Sequence, residues 1–215
     1  MVGDPDAGLG ISRLHFPVQT LGPGRRAGIW LQGCSIGCAG CLSRDTWTPA
    51  VVTTATAAVA DWVERNADDG MTGITVSGGE PLDQAARLAE LLGDLRCRPR
   101  LAGQDILLYT GYAFGVLARR HRAVLALVDA VISGRYVQSR PSVHPWMGSA
   151  NQVLTLLTPR ARQRFTGPTG PRQLQVSADG GRLWLTGVPA RGDLERLEEL
   201  LGERGVRLGD VSWRA

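Results

Sequence analysis

Four short apolar runs, separated by stretches with helical spacing, constrain this chain more than any other feature. Gly28-Ile29-Trp30-Leu31-Gln32, Ile74-Thr75-Val76, Ile106-Leu107-Leu108-Tyr109 and Ala130-Val131-Ile132 read as buried strands. Between them lie three predicted helices. Residues 54–67 place Ala58, Trp62 and Val63 on one face, with Thr53 or Thr54 as cap. Residues 83–95 follow a cap at Asp83 and carry Ala86, Leu88, Leu91, Leu92 and Leu95 on a broad apolar face; residues 113–127 form the third. Strands that are continuously apolar are covered on both faces, and their alternation with helices joins them as parallel βαβ units. The expectation is an α/β fold with a parallel sheet. Ligands in such sheets sit beyond the carboxyl ends of the strands. The Gly- and Cys-rich loop at 33–41, the turn Ser77-Gly78-Gly79-Glu80-Pro81, Thr110-Gly111 and Ser133-Gly134 should therefore share one rim.

The rest of the chain is less regular. Residues 1–15 read as a lead-in with little pattern, and 159–172 as a loop. Residues 173–177 and 182–186 bracket Asp179-Gly180-Gly181 as a hairpin. A helix is expected over 193–203, capped by Asp193, with Leu194, Leu197, Leu200 and Leu201 facing inward, and a final strand between Val206 and Trp213. A length of 215 residues suits one domain (1–215), with a core over about 15–157 and a C-terminal extension from about 158 to 215. With 43% hydrophobic and 20% charged residues the chain is neither disordered nor a disulfide-built miniprotein. No apolar run reaches the roughly 18–20 residues that span a bilayer. The opening MVGDPDAGLG lacks the basic flank and apolar stretch of a secretory signal, so a cytoplasmic location and no membrane partner are expected. All 24 basic residues are Arg, against 20 acidic ones. They are scattered, with no aromatic-studded basic stripe, which argues against a nucleic-acid partner.

Three of the four cysteines, Cys34, Cys38 and Cys41, stand in a Cys-x-x-x-Cys-x-x-Cys run punctuated by Gly33, Gly37 and Gly40. Such spacing in a reducing compartment favours metal binding over disulfides. Three thiolates on one loop can hold three corners of an iron–sulfur cube and leave one iron open to a ligand. Two alternatives stand beside this. A structural zinc site would need a fourth ligand, from Cys97 or His15; three buried free thiols would need no metal. Cys97, between Arg96 and Arg98, reads as an incidental thiol.

The Cys run after the first strand, together with Gly78-Gly79-Glu80 after the second, resembles the radical S-adenosylmethionine superfamily. Finer features are similar to one branch, the activating proteins of anaerobic ribonucleoside-triphosphate reductase. These are Gly22-Pro23-Gly24-Arg25-Arg26, Cys38-Ala39-Gly40-Cys41 with Thr46-Trp47, Tyr109-Thr110-Gly111-Tyr112, Asp129 to Gly134, and Gly148-Ser149-Ala150-Asn151-Gln152. Gly40 stands where many members of the superfamily carry an aromatic residue. The branch's Asp-Gly-Pro-Phe segment appears here as Ser133-Gly134-Arg135-Tyr136, and the chain is longer than the compact members.

The resemblance implies a partial (β/α) barrel of radical S-adenosylmethionine type, with a C-terminal extension holding a hairpin and a helix. It implies that Cys34, Cys38 and Cys41 bind a 4Fe–4S cluster whose open iron takes the methionine end of S-adenosyl-L-methionine. Ser77, Gly78, Gly79, Glu80, Thr110 and Gly111 would contact that cofactor, with Gly40 and Leu42 near its adenine. No catalytic residue is implied beyond the cluster. The implied reaction is reductive cleavage to a 5′-deoxyadenosyl radical, which abstracts a hydrogen atom; a flavodoxin or ferredoxin would supply the electron. The activity expected is activation of a glycyl radical enzyme such as anaerobic ribonucleotide reductase. The alternatives are tailoring of a small molecule or peptide in specialised biosynthesis, and an iron–sulfur electron carrier or sensor, which has no need of the Gly-Gly-Glu turn.

Overall fold

The computed structural model describes residues 8–68, 70–165 and 170–213. Its centre is a six-stranded sheet in the order β1 (Ile11–Val18), β2 (Arg25–Leu31), β3 (Met71–Gly78), β4 (Asp105–Thr110), β5 (Ala130–Ser133) and β6 (Val153–Leu156). The pairings from β2 through β5 are parallel, and β1 and β6 close the two edges antiparallel. The four parallel strands are those read from the apolar runs. Both edge strands correct the sequence reading, which took 1–15 as a lead-in and assigned no element at 153–156. Neither edge is sealed on both faces: β1 is half-buried at every residue but Val18, and Val153 of β6 is exposed, so neither carries a continuous apolar run.

Helices α1 (Thr56–Asn66) and α2 (Ala85–Cys97) form the first two crossovers. Each buries one stripe at i, i+3, i+4 and i+7: Thr56, Val59, Ala60 and Val63 in α1, and Leu88, Leu91, Leu92 and Leu95 in α2. Ala58 and Ala86 face solvent and Trp62 is half-buried. The expected caps are used elsewhere. Thr54 pairs with Leu9 in an isolated bridge, and Asp83 lies in a 3-10 turn over Pro81–Gln84, where its carboxylate accepts from Ser35. The third predicted helix is two, α3 (Phe114–Arg120) and α4 (Arg122–Leu125), separated at His121 by its non-helical φ −127° and ψ 38°.

Alternate residues of a strand face opposite sides, and both sides are filled. Ile106, Leu108 and Val131 join the helix-covered core with Ile29, Ile74 and Val76. Leu107, Ala130 and Ile132 pack on the other side against Met147, Ala161 and Phe165. Ala161 belongs to α5 (Pro159–Arg164), which corrects the loop expected over 159–172; residues 166–169 lie outside the described residues. Thr158 starts this helix by accepting from the Ala161 N–H at 3.2 Å, with Pro159 in its first turn. The fully buried Arg26 also faces this side. It donates to Thr75 Oγ1 (2.7 Å), the Ile74 carbonyl (2.8 Å) and Asp105 Oδ1 (2.6 Å), and lies over the Phe165 ring.

Beyond α5 the hairpin appears as expected, with β7 (Leu174–Asp179) and β8 (Arg182–Gly187) turning on Gly180 and Gly181. It rests on the β1 side of the sheet. Gln175 Nε2 donates to the Pro17 carbonyl (2.7 Å), Thr20 Oγ1 to the Thr186 carbonyl (3.0 Å), and Arg13 stacks 4.2 Å over Trp184. Helix α6 (Asp193–Gly202) starts from Gly192, and Asp193 accepts from the Ala190 N–H at 2.7 Å. Leu194, Leu197 and Leu201 are half-buried and Leu200 is 41% exposed, so the leucine face expected inward is only partly covered among the described residues. Residues 206–213 form no strand. No described helix is long and apolar enough to cross a membrane.

Candidate metal and cofactor site

The four turns do meet on one rim. Leu31 at the end of β2 pairs with Gly78 of β3, Val76 of β3 with Leu108 of β4, and Thr110 at the end of β4 with Ser133 of β5. Each turn therefore leaves the sheet on the same side.

The cysteine loop is rooted by backbone bonds. The Gly33 N–H donates to the Thr46 carbonyl (2.7 Å), the Cys34 N–H to Trp47 (3.1 Å) and the Cys41 N–H to Cys38 (3.1 Å). Gln32 clasps the far side through the carbonyls of Asp45 and Thr48. Ser35 donates to the Asp83 carboxylate from its N–H (2.6 Å) and its hydroxyl (2.7 Å), tying the loop to the start of the next crossover. Gly40 has φ +72°, a left-handed conformation that costs a side-chain-bearing residue energy. It lets the chain double back between Cys38 and Cys41.

The Gly-Gly-Glu turn is sewn to the same root. The Gly79 N–H donates to the Leu31 carbonyl and the Glu80 N–H to Gly33, both at 2.9 Å. A Cβ on Gly79 would lie 2.0 Å from the Gly33 carbonyl oxygen, so only glycine permits this approach. Glu80 is 1% exposed, and its carboxylate meets three donors: the Leu82 N–H (2.9 Å), Thr110 Oγ1 (2.8 Å) and the Gly111 N–H (2.8 Å). Burial pushes its carboxyl above the ordinary range, and these donors pull it partly back. Glu80 thus binds the turn after β3 to the turn after β4.

A cavity of about 1140 Å³ opens above the rim. Cys34, Cys38, Cys41, Leu42, Ser77, Gly78, Gly79, Glu80, Thr110 and Gly111 all line it. Gly40 is not in its wall; its Cα faces the Gln138 carboxamide. Trp30 and Tyr109, from β2 and β4, also line it, as does Trp47. The Gly148–Gln152 segment serves as a clamp. Gln152 accepts from the Gly148 and Ser149 N–H groups and donates to the Gly134 carbonyl, while Asn151 donates to the Arg135 carbonyl. Sequence reasoning did not reach the wall built by Arg172 and residues 185–195, because no local pattern ties that segment to a loop some 150 residues earlier.

All three loop cysteines are free and half-buried. Burial raises the Cys38 thiol, the backbone of Tyr136 draws it down, and the neighbouring Cys41 and Cys34 raise it further. Thiolates crowded in this way are stabilised by a cationic core between them, which fits the donor set to an iron–sulfur cluster. A structural zinc site would need a fourth ligand beside the three thiols, and the two candidates for it lie elsewhere. Cys97 is exposed at the far end of α2, which leads back to the opposite rim of the sheet, and His15 sits within β1 beside Gln175.

Fold and site together define an α/β protein with three free cysteines grouped on the carboxyl rim of its sheet. The 4Fe-4S single cluster domain family matches residues 20–155. The anaerobic ribonucleoside-triphosphate reductase-activating protein of Vibrio cholerae is 30% identical over 150 residues, covering 67% of this chain and 96% of the relative. That of Escherichia coli K12 is 32% identical over 147 residues (65% and 94%), and that of phage T4 is 32% identical over 138 (62% and 85%). The chain belongs to this family of 4Fe–4S activating proteins. The family match stops at Thr155, so α5, the hairpin and α6 lie beyond it.

Proposed function

We propose that this chain activates an anaerobic ribonucleoside-triphosphate reductase by generating a glycyl radical on it, using a 4Fe–4S cluster and S-adenosyl-L-methionine. The reading is supported above all by the sharing of one cavity between three free thiols and the Gly-Gly-Glu turn. The chemistry such a cluster supplies when bound is one-electron cleavage of a sulfonium C–S bond and, through the nucleoside fragment released, removal of a hydrogen atom from a substrate carbon.

The protein's share is binding and positioning. Cys34, Cys38 and Cys41 would hold three irons. Ser77, Gly78, Gly79, Thr110 and Gly111 would receive the methionine and ribose parts of S-adenosyl-L-methionine, with Glu80 holding their two turns in register. Leu42, presented by the bend at Gly40, would lie against the adenine. The indole of Trp30 and the ring of Tyr109 would give the cavity an apolar surface beside the cofactor. The sheet and its rim would correspond to a partial (β/α) barrel, within one domain made of a body (about 15–157) and an extension from about 158 onward. Reducing a sulfonium requires the low end of the roughly −700 to +450 mV range of such clusters, so a flavodoxin or ferredoxin would serve as donor, in the cytoplasm.

The test is anaerobic reconstitution with iron and sulfide, followed by reduction with S-adenosyl-L-methionine and the reductase of the same genome. About four irons per chain, release of 5′-deoxyadenosine and a glycyl-radical resonance are expected, and Cys38→Ala should abolish all three. Release of 5′-deoxyadenosine without a radical on the reductase would move the hydrogen donor to a small molecule or peptide. Cleavage that survives Cys38→Ala would refute the cluster assignment.

A further inference from the structure

We infer that the segment after α5, which the family match does not reach, is the substrate-side wall of the cavity and sets which partner segment can enter it. The inference rests on the activase reading. Three observations on the extension carry it.

First, the extension supplies one side of the cavity wall. Leu185, Thr186, Pro189, Leu194 and Glu195 line the same cavity as the three cysteines. A reductase segment that brings its glycine into that cavity lies within reach of them.

Second, the wall is held from both sides of the mouth. Arg172 donates to the Pro189 carbonyl (2.9 Å) on the extension, and to the carbonyls of Ser142 and Met147 (3.0 Å for the latter) on the body. Among the described residues no carboxylate pairs with it, so the guanidinium fork serves as a bridge between backbones. Further back, Gln175 and Thr186 tie the hairpin to Pro17 and Thr20, and Ser212 Oγ donates to the carbonyl of Leu42 at 2.7 Å. The extension is thereby linked to the cysteine loop itself.

Third, α6 carries an apolar stripe that is only partly covered. Leu194, Leu197 and Leu201 recur at helical spacing and are half-buried, while Leu200 and Val206 are exposed beside them. An amphipathic helix normally buries its apolar face. Here that face continues from the cavity wall at Leu194. The occupant that fits is the reductase surface flanking its glycine-bearing segment. Arg172 is a positioning residue in this scheme, and the residues from Leu185 to Glu195 are the specificity contacts. Added wall residues discriminate by rejecting ill-fitting segments as much as by binding the right one.

The test uses the full chain, reconstituted anaerobically, and the reductase of the same genome. Two variants loosen the wall: Arg172→Ala at the mouth, and Gln175→Ala behind it. Deuterium exchange over 185–195 and glycyl-radical yield against reductase concentration are read together. A photo-crosslinking residue at Leu194, with one at Arg87 on the opposite helix layer as control, reports contact directly. Both variants should speed exchange over 185–195. The reductase concentration for half-maximal radical should rise about tenfold, while the plateau stays within about twofold. Arg172→Lys, a point charge without the fork, should recover only part of this. Crosslinks to the reductase should form from Leu194 and not from Arg87.

Faster exchange with an unmoved half-maximal concentration, or radical formation with no crosslink from Leu194, would reduce the extension to an outer layer and overturn the inference alone. Unchanged exchange in both variants would overturn it by removing the anchors. A wild-type chain that forms no radical on the reductase takes down the activase reading and the inference with it.

Discussion

Arg25 and Arg26 are adjacent in the sequence and nearly opposite in physical situation. Arg25 pairs with Asp68 at 3.0 Å where both side chains are well exposed, at 39% and 47%. Arg26 pairs with Asp105 at 2.6 Å where both are fully buried. Exposed pairs are screened and contribute under about 1 kcal/mol. Removing one partner of a buried pair strands the other, at a cost of about 3–5 kcal/mol. Arg25→Ala should therefore leave urea-unfolding stability nearly unchanged, and Arg26→Met should lower it by about 3 kcal/mol or more. Equal effects would show that Asp105 is satisfied by Arg164 alone, which reaches it at 2.9 Å. The sequence marked both arginines as one motif. It carried no sign of which one faced the interior, since that follows from the side of β2 that meets Asp105, 79 residues later. Glu80 teaches the same lesson. The Gly-Gly-Glu pattern singled it out, but its donors Thr110 and Gly111 lie 30 and 31 residues on, across a strand pairing.

Among elements, the turn after β3 and the loop after β2 behave as one piece, because they share the backbone bonds at Leu31, Gly33 and Thr46. Gly79→Ala should push the Gly33 carbonyl away and carry Cys34 with it. The expected result is a chain that still folds, since the core stripes of α1 and α2 are untouched, but binds far less iron on reconstitution. Iron analysis and the visible charge-transfer absorption would check this, and a normal iron content would show that the loop has slack the backbone bonds do not suggest. The crossover helices were legible because each buries a four-residue stripe at helical period. Their caps were not, because Thr54 and Asp83 are recruited by distant partners, Leu9 and Ser35. The edge strands β1 and β6 escaped notice for a related reason: a partly exposed strand needs no continuous apolar run, and its pairing partner supplies the order.

Across the whole molecule, Asp129 is a joint between layers. It accepts from Arg96 of α2 (2.5 Å), the Ile106 N–H of β4 (2.8 Å) and Thr158 at the head of α5 (2.7 Å). Burial pushes its carboxyl up, but these donors together outweigh burial and hold it below the ordinary carboxylate range. A lowered carboxyl favours the folded state above the ordinary value near 3.9, and that contribution fades as pH falls through the lowered one. Asp129→Asn should cost about 2 kcal/mol at pH 7, with the gap to wild type narrowing at about pH 3; parallel urea titrations at the two pH values would show it. A constant gap would mean the loss is one of packing rather than charge. What the amino-acid sequence determined alone was the parallel core, the crossover helices and the cysteine and Gly-Gly-Glu turns, because strand burial, helical period and metal-ligand spacing are written in residues close together. Which carboxylates bind which arginines, that two further strands close the sheet, and that the last forty-odd described residues fold back to wall the cavity were decided only by tertiary structure. The buried arginine pair and the cavity wall join residues far apart in the chain, the edge strands take their order from the strand beside them, and no local periodicity encodes such partners.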